Sequence, residues 1–192
     1  MDKFYNYGID LGTTNSCVAR TTLSDVVVFQ NLDNMNVTPS VVHIDKRGRM
    51  FVGRKAYDKI VLEPENTASE FKRFMGILHN ETFASTGRKM TPVELSAEIL
   101  KSIREDVLRQ TGTPLTDAVI TVPASFDTRQ CDATTQAGKL AGLDNIVLLQ
   151  EPISAAIAYG MKPDSKNQYW MIFDFGGGTL DITLLETTNE HI

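Results

Sequence analysis

Cysteine is scarce in this chain: Cys17 and Cys131 are the two among 192 residues, and they lie far apart. Secreted modules stapled by disulfides use more, so the scarcity points to a reduced interior. Long apolar runs are missing as well. Stretches such as Val26-Val27-Val28-Phe29 fall far short of the ~20 residues that cross a bilayer. The opening Met1-Asp2-Lys3-Phe4-Tyr5-Asn6 has no apolar signal core. These absences together predict a cytoplasmic protein with no membrane partner. No run of five like charges occurs, and 24 acidic residues against 19 basic ones give a formal net charge of -5. That balance favours solubility and argues against a nucleic-acid-binding face.

What is present is ordinary for a soluble globular protein, with 42% hydrophobic and 22% charged residues. The length suits one large domain, or one domain plus part of another. The first third reads as a β-meander: strands over 4–10, 16–22 and 25–30, then two short strands, Val41 to Ile44 and Met50 to Val52, about the turn Asp45-Lys46-Arg47-Gly48. The segment 54–90 reads as mostly short helix, with 79–88 a polar loop. Thr91-Pro92-Val93-Glu94 is a capping box with proline at the first helical position. The helix it opens carries Ile99, Ile103 and Val107 on one stripe with Leu100 and Leu108 beside them, and Gly112 and Pro114 stop it.

Beyond it the pattern alternates: strand 118–122, a helix capped by Asp127 with Gln130 three positions on, strand 146–150, a helix opened by Pro152, strand 169–174, and a strand 181–186 that pairs back on it. Three antiparallel strands followed by helix-strand-helix-strand-helix match a ribonuclease H-like α/β lobe. The chain then starts over. Ile9-Asp10-Leu11-Gly12-Thr13-Thr14 and Phe173-Asp174-Phe175-Gly176-Gly177-Gly178-Thr179 share one construction: apolar strand, aspartate, apolar residue, glycine turn, threonine.

Either turn alone would pass for an ordinary hairpin; the matched pair suggests phosphate. Glycines let backbone N–H groups approach an anion unobstructed. Threonine hydroxyls add donors, and an aspartate offers a hard oxygen ligand to Mg²⁺, directly or through its waters. Neither G-x-x-x-x-G-K-[ST] nor G-x-G-x-x-G occurs, which excludes P-loop and Rossmann sites.

At these residues the chain resembles the heat-shock protein 70 family, DnaK type, within the actin and sugar-kinase superfamily. The resemblance runs through 8–19, Phe71-Lys72-Arg73, 118–124, Glu151-Pro152, Ala155-Ala156, Ala158-Tyr159-Gly160 and 173–181, in family order over nearly the whole chain. It implies an actin-like ATPase lobe with a mixed five-stranded sheet and helices packed on it, spanning 1–163. Within that lobe, 1–36 and 91–163 form one subdomain and 37–90 a shortened second one. Residues 164–192 would be the first hairpin of a second lobe.

The resemblance also implies ATP or ADP with Mg²⁺ as ligands, and a stress-related protein-folding role. Asp10 and Asp174 would hold the Mg²⁺ water shell. Gly12, Thr13, Thr14 and Asn15, with the Gly176, Gly177 and Gly178 turn, would grip the phosphates. Lys72 would reach the γ-phosphate, Glu151 would sit near the attacking water, and Thr179 would position the γ-phosphate or that water. Implied partners are unfolded peptide clients, through a further C-terminal domain, with a J-domain co-chaperone and a nucleotide exchange factor. Pro123 stands at the family's interdomain switch.

Three departures stand out. Gln130-Cys131 replaces the family's usual Gln-Arg pair, with Arg129 on the wrong side of the glutamine, which puts co-chaperone coupling in doubt. Gln150 and Ile153 replace a usual Asn and Thr. The stretch between Gly76 and Met90 is short, as in a divergent branch. With little of a second lobe present, the expectation is a fragment nearly inactive alone. Its hairpin over 169–186 is expected to be disordered, to pack on the first lobe, or to pair with another copy. The alternatives weighed are a sugar kinase, a filament-forming actin-like protein, and a non-enzymatic interaction module.

Overall fold

A computed structural model of the chain describes residues 5–23, 25–161, 168–177 and 180–187. The chain opens with an antiparallel meander, β1 (Tyr7–Leu11), β2 (Asn15–Thr21) and β3 (Val26–Val28). A two-residue strand β4 (Thr38–Pro39) pairs on β2, and then β5 (Val41–Ile44), β6 (Met50–Val52), helix α1 (Arg54–Tyr57) and β7 (Thr67–Ser69) form a small separate layer. A hairpin of β8 (Glu81–Phe83) and β9 (Arg88–Met90) leads into the long helix α2 (Pro92–Thr111). There follow β10 (Asp117–Val122), α3 (Thr128–Leu140), β11 (Asn145–Gln150) and α4 (Glu151–Ala158), and finally the hairpin β12 (Gln168–Phe175) and β13 (Leu180–Thr187).

The main sheet has the order β11-β10-β1-β2-β3. β1 is parallel to β10 and β10 to β11, while β2 and β3 run antiparallel. This is the expected mixed five-stranded sheet, with β4 as a sixth, unforeseen strand beside β2. The helices form where their ends are satisfied. Thr91 Oγ1 accepts from the Glu94 amide while the Thr91 amide donates to Glu94 Oε2, and Gly112 closes α2 in the left-handed region at φ 68°. Asp127 and Gln130 make the same reciprocal box at the start of α3.

The α2 residues Leu95, Ile99, Leu100, Ile103 and Val107 are buried, and Ile9, Leu11, Val18 and Ile120 of the main sheet belong to the same core. Leu108, read as part of that stripe, is 44% exposed: it lies on the solvent side of the helix.

The reading of 54–90 as mostly helix needs correction. Only α1 and two 3₁₀ turns, Pro64–Asn66 and Phe71–Phe74, are helical there, and the expected polar loop 79–88 contains a strand and its turn. Phe83 and Met90, buried at one end of each short strand, pin the hairpin to the core. Gly87 turns it at φ 69°. The polar residues that suggested a loop simply face water.

The final hairpin packs on the first lobe, the second of the fates expected for it. β12 contacts α4, and its turn touches the first glycine turn. The face turned away carries Tyr169, Met171, Phe173, Phe175, Leu180, Ile182 and Leu184, all exposed.

Candidate functional site

Three neighbouring parallel strands end on one edge of the main sheet. β1 delivers Asp10, β10 delivers Thr121, and β11 ends at Gln150, so that Glu151 begins α4 at the same edge. The carboxyl ends of parallel strands open onto a crevice where ligands bind in many α/β folds. Thr121 Oγ1 donates a 2.8 Å hydrogen bond to Asp10 Oδ1, which orients that carboxylate. Thr121 carried no assigned role in the sequence, because threonine is also simply a good strand former.

The turn after β1 needs glycine at its first position. A Cβ on Gly12 would overlap the Asn15 carbonyl oxygen, so any other residue would force the loop open. Thr14 Oγ1 is buried and, among the described residues, has no hydrogen-bond partner. A buried hydroxyl left unpaired is costly, and such an atom points to a missing ligand.

The second glycine turn comes up against this same threonine. A Cβ on Gly177 would lie 2.5 Å from Thr14 Oγ1 and 3.0 Å from its Cβ, so glycine lets the two turns meet. Asp174 and Asp181 face each other directly across the β12–β13 ladder, and both line the cleft. Like charges directly opposite on a sheet repel, an arrangement suited to a nearby cation. Asp181 had no assigned role; the signal that could have found it is its place one strand across from Asp174, behind the same turn. Gly178 and Thr179 lie outside the described residues.

Lys72 reaches the cleft from the 3₁₀ turn Phe71–Phe74, anchored by the buried Phe71. Its Nζ donates to Glu151 Oε1 at 2.7 Å, and the ammonium sits 5.6 Å from the Phe126 ring centroid. The side chains of the pair are 5% and 17% exposed, so this is a buried ion pair, not the solvated pair that Lys72-Arg73 resembles in sequence. Burial pushes the Glu151 carboxyl above its ordinary range, the Lys72 ammonium opposes that, and the Asp10 and Asp174 carboxylates push it further up. Arg73 pairs with Glu70 at 3.2 Å.

The cleft has a volume of about 480 Å³. Asp10, Gly12, Thr13, Thr14, Asn15, Lys72, Glu151, Asp174, Gly176 and Gly177 all line it, together with Arg73, Thr121, Pro123, Phe126 and Asp181. Every described residue expected at the site is therefore in one place. Cys131, Gln130 and Arg129 lie outside its lining; Arg129 pairs with Asp127 at 3.2 Å.

A phosphate chain with a hydrated cation fits these residues. The Thr14 hydroxyl, unpaired among the described residues, the backbone amides of the tightly packed glycine turns, and one buried ammonium are donors for an anion. Among the described residues no cluster of three His, Cys, Asp or Glu side chains could hold a metal ion outright. The carboxylates that line the cleft instead suit a Mg²⁺ that keeps its waters.

The model of the family described as Hsp70 protein matches residues 6–191. That family is one of nucleotide- and Mg²⁺-dependent ATPase chaperones, and the actin-like fold, the mixed sheet and the paired glycine turns agree with it. The chain belongs to the Hsp70 family, and what it carries is sequence of that family's nucleotide-binding domain.

Proposed function

We propose that the cleft between the two glycine turns binds Mg-ATP and Mg-ADP, and that hydrolysis there gates peptide binding elsewhere in an Hsp70 chaperone. The observation that carries this reading is the buried Thr14 hydroxyl, without a partner among the described residues, facing Gly177 of the opposite turn. The Thr13 and Thr14 hydroxyls and the amides of both turns donate to phosphate oxygens, while Asp10 and Asp174 hold the waters of the metal. The metal, when bound, neutralises charge on the phosphates. Thr121 fixes one oxygen of Asp10. Lys72 turns from Glu151 to the terminal phosphate and stabilises charge there. Glu151, freed of its cation and already shifted up by burial, orients a water and takes its proton.

The described residues supply the phosphate end of the site, and among them no aromatic other than Phe126 lines the cleft to stack a base. Affinity is accordingly weak, and turnover by this chain is slow. Peptide clients, a J-domain co-chaperone and a nucleotide exchange factor are the partners this reading implies. Cys131 stands where the family's usual Gln-Arg pair has its arginine, so Cys131→Arg raises co-chaperone stimulation. The exposed apolar face of the hairpin is a contact between copies of the chain, and the two free cysteines suit a reduced cytoplasm.

Isothermal titration of the chain with Mg-ADP and Mg-ATP tests the proposal. Saturable binding that Lys72→Ala and Asp10→Asn each weaken at least tenfold supports it. No heat at millimolar nucleotide, or binding that both variants leave intact, refutes it.

A further inference from the structure

The loop that follows β1 is fastened from below by two buried serines. Resting on the Mg-nucleotide reading above, we infer that Ser40, seconded by Ser16, is a positioning residue that turns the phosphate loop's carbonyls away from the cleft. Ser40 follows β4, 28 residues beyond Gly12, and bonds the loop twice. Its amide donates to the Thr14 carbonyl at 2.8 Å, and its hydroxyl donates to the Gly12 carbonyl at 2.8 Å.

A serine hydroxyl has one proton, and Gly12 takes it. The 2.9 Å contact between the Ser16 and Ser40 hydroxyls must therefore be a donation from Ser16 to Ser40. Both serines are almost fully buried, at 1% and 2% exposure. The β2–β4 ladder, with Asn15 opposite Pro39 and Ser16 opposite Thr38, holds the two segments in register.

The sign of the dipoles gives this chain of bonds a function. A carbonyl oxygen facing the cleft would repel a phosphate, whereas N–H and O–H groups attract it. Ser40 takes up the carbonyls on both sides of Thr13, from Gly12 and Thr14, in the body of the protein. The Thr14 hydroxyl, by contrast, has no partner among the described residues. The loop is thus held in its donor-outward form before any ligand arrives, the preorganisation that electrostatic binding requires.

Buried serines also bond simply to satisfy one another, so the test must separate stability from binding. Ser40→Ala, Ser16→Ala and the double variant are compared with Val107→Ala, a core truncation in α2 outside the cleft lining. Without ligand, backbone ¹⁵N order parameters at residues 12–15 in Ser40→Ala fall from rigid values of ~0.85 toward ~0.6, and stay unchanged in Val107→Ala. Mg-ADP affinity falls about 3- to 10-fold in Ser40→Ala, as expected for one net hydrogen bond. It falls less in Ser16→Ala, and no further in the double variant than in Ser40→Ala. A rigid loop in Ser40→Ala, or an affinity loss no greater than in Val107→Ala, overturns the inference. Should Ser40→Ala not fold, Ser16→Ala carries the test alone, and an unchanged loop with unchanged affinity rejects it. If the wild-type chain binds no Mg-ADP yet its loop loosens in Ser40→Ala, the nucleotide reading fails while the positioning role is supported.

Discussion

Replacing Lys72 with methionine removes one half of the buried pair and leaves Glu151 beside Asp10 and Asp174 without its ion-pair partner. The two side chains meet at 2.7 Å and are 5% and 17% exposed, so water screens neither well. Breaking such a pair from one side costs about 3–5 kcal/mol, because a charge stays buried unpaired. With a urea slope of about 2 kcal/mol/M, the unfolding midpoint falls by ~1.5–2.5 M.

Glu151→Gln, which strands the ammonium instead, behaves similarly. The double variant Lys72→Met/Glu151→Gln loses much less than the sum of the singles. The acid dependence follows in sign. Without Lys72 the Glu151 carboxyl is raised further by burial and its two acidic neighbours. Its folded form then holds a proton to higher pH than the unfolded chain. The deficit of Lys72→Met against wild type is therefore largest at neutral pH and shrinks as pH falls toward the ordinary glutamate range near ~4.3. Urea unfolding of the four proteins at pH 5 and pH 7.5 measures all of this. Singles that cost less than ~0.5 kcal/mol and add without coupling would refute the argument, since that is how a solvated surface pair behaves.

Other outcomes follow from the same geometry. Gly177→Ala puts a methyl 2.5 Å from Thr14 Oγ1, separates the turns, and speeds amide exchange in β12 and β13; unchanged exchange would show that the turns do not hold the hairpin. Phe173→Asp or Ile182→Asp, on the exposed apolar face, lowers the molar mass seen by light scattering at high concentration and reduces binding of an apolar dye. A wild-type chain that stays monomeric and dye-free counts against that contact. Asp106 is buried, and burial raises its carboxyl despite Arg109 at 3.0 Å. Its contribution to stability falls as pH rises from the unfolded value of ~3.9 through the raised folded one. Asp106→Asn flattens the profile in that window, and parallel pH profiles would contradict this.

Features set by local chemistry were legible before the fold was known. Thr91 with Glu94 and Asp127 with Gln130 announced two helix starts, because a capping box is complete within four residues. The two glycine turns were legible because their construction repeats. What escaped depends on distance along the chain. Lys72 and Glu151 are 79 positions apart, and nothing local distinguishes a buried pair from a surface one. Thr121 meets Asp10 across 111 positions, and Ser40 meets Gly12 across 28. The β8–β9 hairpin was hidden because its solvent face is polar, which reads as loop until Phe83 and Met90 are seen buried.

The cleft between the glycine turns joins two parts fastened very differently. Its first turn grows out of the central strand of the main sheet, while its second sits on a hairpin that, among the described residues, contacts α4 and meets the first turn at Gly177. A ligand held by both turns therefore binds the docked hairpin in preference to a detached one, and stabilises docking by mass action. At a hundred times its dissociation constant that amounts to ~2.7 kcal/mol. On the proposed reading, nucleotide concentration would set the fraction of chains whose hairpin is docked, and the hairpin's own rate of amide exchange would gauge how much nucleotide is present.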